Sequence, residues 1–81
     1  MVGLLRRARI LPQPKVSKEE ALQLAQAECS RRGWPWQEPV HVSEWFTAWY
    51  FMTNANYRGG NVNIAIDSIS GRVRAAAFAP R

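Results

Sequence analysis

Asn61-Val-Asn-Ile-Ala-Ile-Asp-Ser-Ile-Ser-Gly-Arg-Val-Arg-Ala-Ala-Ala-Phe-Ala79 is the stretch on which the fold turns. Val62, Ile64 and Ile66 alternate with Asn61, Asn63, Ala65 and Asp67, the period-two pattern of a strand with one buried face. Asp67 to Gly71 reads as a tight reversal, because an aspartate side chain bonds the backbone of its own turn and a glycine fills a left-handed position. Val73, Ala75 and Ala77 then alternate with Arg72, Arg74, Ala76 and Phe78, and Pro80 ends this second strand. The pair is an antiparallel hairpin.

Upstream of the hairpin the chain continues to read as β-structure. Asn56 to Asn61, with Gly59 and Gly60 between them, is a turn. Trp49-Tyr-Phe-Met-Thr53 is rich in residues that favour strands, and Pro39-Val-His-Val-Ser43 alternates with Val40 and Val42 on one face. Trp45 to Ala48 admits two readings, a turn or a continuation of the preceding strand.

Residues 17–33 carry a helix with both ends marked. Ser17 and Glu20 form the S-x-x-E capping box, in which each side chain accepts the other's unpaired backbone N–H. Val16 and Ala21 occupy the positions of a hydrophobic staple. Ala21, Leu22, Leu24, Ala25 and Cys29 fall on one stripe at about 100° per residue. Gly33 suits the left-handed position just past the helix, Trp34 is placed to cover Cys29, and Pro35 forbids continuation. The helix stripe must bury itself on the sheet. The expected fold class is therefore α+β, one N-terminal helix packed on a three- to four-stranded antiparallel meander.

Charge divides the 81 residues unevenly. The net charge is +5 and the isoelectric point near 10.4. Arg6, Arg7, Arg9 and Lys15 fall in the first sixteen residues with no acid, whereas residues 17–81 hold seven basic and six acidic groups. Residues 1–15, which also contain Pro12 and Pro14, read as a basic flexible arm, and residues 16–81 as one domain. A nearly neutral body argues against nucleic acid as the partner. No apolar run approaches the roughly 18 residues of a membrane span, and the N-terminus lacks the apolar core of a secretory signal. With a single cysteine, Cys29, excluding an internal disulfide, the expected location is cytoplasmic.

The chemistry on offer is sparse. Cys29 and His41 are the one conceivable nucleophile and base, but a cysteine on an apolar helix stripe is ordinarily inert packing. His41 and Asp67 have no companions at metal-ligand spacing, and no phosphate-binding loop precedes a helix. No catalytic residue, metal or cofactor is expected. Trp34, Trp36 and Trp49 are expected in the core rather than on a stacking platform.

One helix covers one sheet face. With Trp49, Phe51, Val62, Ile64, Ile66, Val73 and Ala75 assigned to the helix side, Tyr50, Met52, Asn63, Ala65, Arg72, Arg74, Ala76 and Phe78 face out. Aromatics, methionine and arginine are the side chains enriched at protein interfaces. Tyr50, Met52, Arg72, Arg74 and Phe78 are accordingly the candidate partner-binding residues, for another protein or for a second copy in a weak homodimer.

Ser17-Lys-Glu-Glu-Ala-Leu-Gln-Leu-Ala25, the Trp49 strand, and the "I-D-x-x-x-G-x-V" run from Ile66 to Val73 together resemble PepSY-like domains. The tryptophan strand, the Gly59-Gly60 turn and the same run are also similar to small bacterial immunity proteins of the nuclear-transport-factor-like type. The resemblance implies a noncatalytic module, often tied to inhibiting or modulating a peptidase. The function expected is a small protein-binding module, an inhibitor or immunity factor. The alternative is a nucleic-acid-binding protein that uses the basic arm and exposed aromatics.

Overall fold

Ser17 starts the helix as its pattern requires. The Ser17 hydroxyl accepts the Glu20 N–H at 3.1 Å, and the Glu20 carboxylate accepts the Ser17 N–H at 2.9 Å. In the computed structural model, which describes residues 16–80, helix α1 runs Lys18–Arg31. The basic arm expected over residues 1–15 lies outside the described residues.

The helix closes with both hydrogen bonds of a Schellman motif. The Trp34 N–H reaches the Cys29 carbonyl and the Gly33 N–H reaches that of Ser30, each at 3.0 Å. Gly33 holds φ +74°, the left-handed conformation that a side chain resists. Ala21, Ala25 and Cys29 are the fully buried stripe of α1, while Leu24 is 39% exposed at its margin.

Four strands follow: β1 (His41–Trp45), β2 (Ala48–Met52), β3 (Asn61–Asp67) and β4 (Val73–Ala79). They form one antiparallel sheet in the order β1-β2-β3-β4, so β1 and β4 are its edges. Trp45 pairs with Ala48, which makes Phe46-Thr47 a two-residue turn and settles the two readings of that segment. Helix α1 lies over β2, β3 and β4 and does not reach β1. The core beneath it is Phe51, Val62, Ile64 and Ile66 with the helix stripe, flanked by Trp34, Trp36, Trp49, Val40 and Val42. The three tryptophans expected in the core are all packed against it.

The second half of β4 departs from the expected phase. Ile66 pairs with Val73, but Ala65 pairs with Ala75, so the register shifts there and Arg74 is the extra residue of a β-bulge. A one-residue slip exchanges the two faces. Val73 keeps the phase of Ile66. Beyond it Ala76 sits beside Ile64 and Phe78 beside Val62, both against the core, and Ala75 turns to the open face. Phe78, expected to face out, instead stacks on Trp34 with ring centroids 5.9 Å apart.

Residues 53–60 form a connection organised from within. The Asn61 side-chain amide donates to the carbonyls of Thr53 (2.8 Å) and Asn54 (2.9 Å) and accepts the Gly59 N–H at 2.9 Å. The Thr53 hydroxyl accepts the Val62 N–H at 2.9 Å. These buried side chains satisfy backbone groups that the turn takes away from the sheet.

Candidate functional site

The face of the sheet turned away from α1 is built by alternation. Val42, Phe51, Ile64 and Ala76 are paired or packed on the helix side, so His41, Ser43, Tyr50, Met52, Asn63, Ala65, Ala75 and Ala77 take the other. Their side chains enclose an open depression of about 320 Å³ lined by His41, Ser43, Tyr50, Met52, Asn63, Ala65 and Ala75. Ala65 and Ala75 are its small residues, Phe51 and Ile64 also border it, and its relief comes from Tyr50, which is 41% exposed, and Met52. Small residues in the middle with an aromatic at the side make a shape that accepts an inserted apolar group.

Two of the five expected interface residues, Tyr50 and Met52, stand on this depression. Arg74 lies at the end of the sheet. Its guanidinium donates to the Thr47 carbonyl at 3.3 Å and approaches the Asp67 carboxylate at 3.9 Å. Arg72 is exposed just before β4, in the turn that the Asp67 carboxylate organises by accepting the N–H groups of Ile69 and Ser70. Those two backbone bonds, with the nearby Arg74, hold the Asp67 carboxyl below the usual carboxylate range. Phe78 belongs to the other side of the sheet. The face thus gathers His41, Ser43 and Ala75 in its place. His41 and Ser43 were readable from their alternation with Val42, whereas Ala75 was hidden by the bulge.

A second concavity of about 440 Å³ lies on the helix side, where α1 stops short of β1. Leu22, Trp36, Val40, Val42 and Phe51 line it, with Lys18, Glu19, Gln26 and Glu38 among the polar residues around it.

Among the described residues, Cys29 and His41 are not brought together at either concavity. The Cys29 thiol is buried under the helix and donates to the Trp34 carbonyl at 3.1 Å, and burial pushes its pKa up. His41 is exposed on the opposite face of the sheet. The conceivable nucleophile and base are therefore separated by the sheet itself. Among the described residues no three His, Cys, Asp or Glu side chains cluster as a metal site. Glu28 is paired with Arg31 and Arg32 at the end of α1, and their hydrogen bonds lower its carboxyl to about 2. That cluster complements the negative end of the helix dipole and is structural.

The fold and the open face together define a helix-on-sheet α+β domain with one sheet surface left uncovered among the described residues. Compared with protein-family models, curated proteins and solved structures, the chain matches none. No helix among the described residues is long and apolar enough to cross a membrane.

Proposed function

We propose that this chain is a noncatalytic protein-binding module that docks a partner on the open face of its sheet, as an inhibitor or immunity factor. The observation that carries the reading is the open face itself, with a depression that holds Ala65 and Ala75 beside Tyr50 and Met52. A stable interface needs a well-shaped apolar centre within a polar rim, and His41, Ser43 and Asn63 supply polar groups around this one. The resemblance to PepSY-like domains and to nuclear-transport-factor-like immunity proteins supports the same role. Burying this face also favours weak pairing of two copies, since a two-fold arrangement is the commonest closed solution.

A nucleic-acid reading draws its charge from elsewhere. Residues 16–80 hold six basic and six acidic groups, so the described body offers no excess positive charge to phosphates. Site-specific photocrosslinking tests the docking reading. A photoreactive side chain replacing Tyr50 is expected to give protein adducts in cells that produce the chain, while one replacing Gln23, exposed on α1, does not. Equal yields from the two positions, or none from position 50, would contradict it. Binding that collapses with added salt would instead favour nucleic acid.

A further inference from the structure

The two edges of the sheet are unlike. β1 has five residues, follows Pro39 by one residue and carries Glu44. Short length, a proline and a charge are devices that keep an edge from pairing with another chain. β4 has seven residues. Its register shift at Arg74 disturbs only its start, and from Ala75 to Ala79 every residue has a regular partner on β3. That stretch holds no charge and no proline, and no described strand pairs with its outer side. Its outward N–H and C=O groups are a template for one more strand.

The neighbouring side chains say what such a strand carries. On the open face β4 presents the exposed Ala75, Ala77 and Ala79, and Ala65 lies beside Ala75 on β3. Neighbouring strands are about 4.8 Å apart, so a large side chain next to Ala75 leans over it toward Ala65. There it fills the low side of the depression, opposite Tyr50. A second copy of β4 does not do this. Paired edge to edge it brings its own Ala75, Ala77 and Ala79 to the open face, and a methyl group has no reach across the depression. Charge sets the direction. Arg72 and Arg74 stand at the start of β4, where Asp67 is the carboxylate that approaches Arg74, and β4 itself has no acid. An antiparallel strand ends at that corner, so its C-terminal end is the place for an acidic residue.

We propose that β4 takes up an extended segment of a partner protein as a fifth, antiparallel strand, with large apolar residues alternating along its open-face side and an acidic residue at its C-terminal end. The inference rests on the docking reading of the open face and gives it a mode. Main-chain hydrogen bonds along Ala75–Ala79 supply affinity, and the space over Ala65 and Ala75 supplies selectivity.

The test uses the full chain and a phage-displayed library of random twelve-residue peptides. Selection is expected to enrich large apolar residues at every second position, followed by an acid, and Arg72→Glu should weaken the enriched peptide, made synthetically, several-fold. Successive residues of a strand point their N–H groups to opposite sides, so one of Ala76→Pro and Ala77→Pro loses only an outward N–H. That variant should melt near the wild type and bind the peptide at least tenfold more weakly. Should both proline variants melt lower, Ala75→Phe carries the test, because it fills the space of the incoming side chain, and the same loss is expected. A selection that enriches nothing, enriched peptides with apolar residues at helical spacing, or binding that survives both the stable proline variant and Ala75→Phe would overturn the proposal. Photocrosslinking from position 50 that persists in the stable proline variant would overturn strand addition and leave the docking reading standing, whereas no crosslink from position 50 in the wild type would remove both.

Discussion

Strands β3 and β1 both alternate apolar and polar residues, and they end in opposite circumstances. In β3, Val62, Ile64 and Ile66 are almost completely buried between α1 and the neighbouring strands. In β1 only Val42 is half-buried, and His41, Ser43, Glu44 and Trp45 are exposed. Alternation sets which side of the sheet a residue takes. What then covers that side depends on the length and position of a single helix, and a helix of 14 residues covers three strands and leaves the fourth. The remainder, both beside α1 and over the whole opposite face, carries no covering element among the described residues.

The difference has a measurable size. Ile66→Ala empties part of a sealed core and should cost about 3 kcal/mol, whereas Val42→Ala, beside an open groove, should cost about 1 kcal/mol or less. Denaturant midpoints measure both, and equal losses would mean that β1 is covered as well as β3. Asn61→Ala sharpens the contrast from the polar side. It strips a buried donor from the Thr53 and Asn54 carbonyls and an acceptor from the Gly59 N–H, and should cost about 2 kcal/mol. Hydrogen exchange at Gly59 should quicken in this variant.

Ser17→Ala removes the acceptor of the Glu20 N–H and should cost about 1 kcal/mol in thermal or denaturant unfolding. An unchanged midpoint would place the effective start of α1 elsewhere. The smallest effect expected has the opposite sign. The Ser68 hydroxyl is buried with no hydrogen-bond partner among the described residues. Ser68→Ala should therefore be neutral or stabilising by up to about 1 kcal/mol, and a marked loss would reveal a partner for that hydroxyl.

The ends of α1 were legible because their signals are local. A capping box and a glycine stop are set by hydrogen bonds within a few residues, and Ser17, Glu20, Gly33 and Trp34 make the bonds their positions imply. The phase of β4 was not legible. Ala75, Ala76 and Ala77 are identical, so alternation carries no information across the residues that follow the bulge at Arg74. Only Phe78 offers contrast, and one shifted residue carried it from the expected open face to the core. The β1–β2 turn was obscured for a different reason. Trp45-Phe-Thr-Ala48 contains none of the glycine, asparagine or proline that usually marks a reversal. The open face was partly readable, in Tyr50 and Met52, because β2 keeps its register throughout.

The open face of the sheet is proposed here as a working binding surface. Sedimentation equilibrium on the full chain, compared with Tyr50→Asp at matched melting temperature, tests it most directly. Weak, concentration-dependent pairing of the wild type is expected, and Tyr50→Asp should abolish it, since a charge beside Met52 and Ala65 must be desolvated to bury that face. A wild type that stays strictly monomeric at high micromolar concentration, or pairing that Tyr50→Asp leaves untouched, would contradict it.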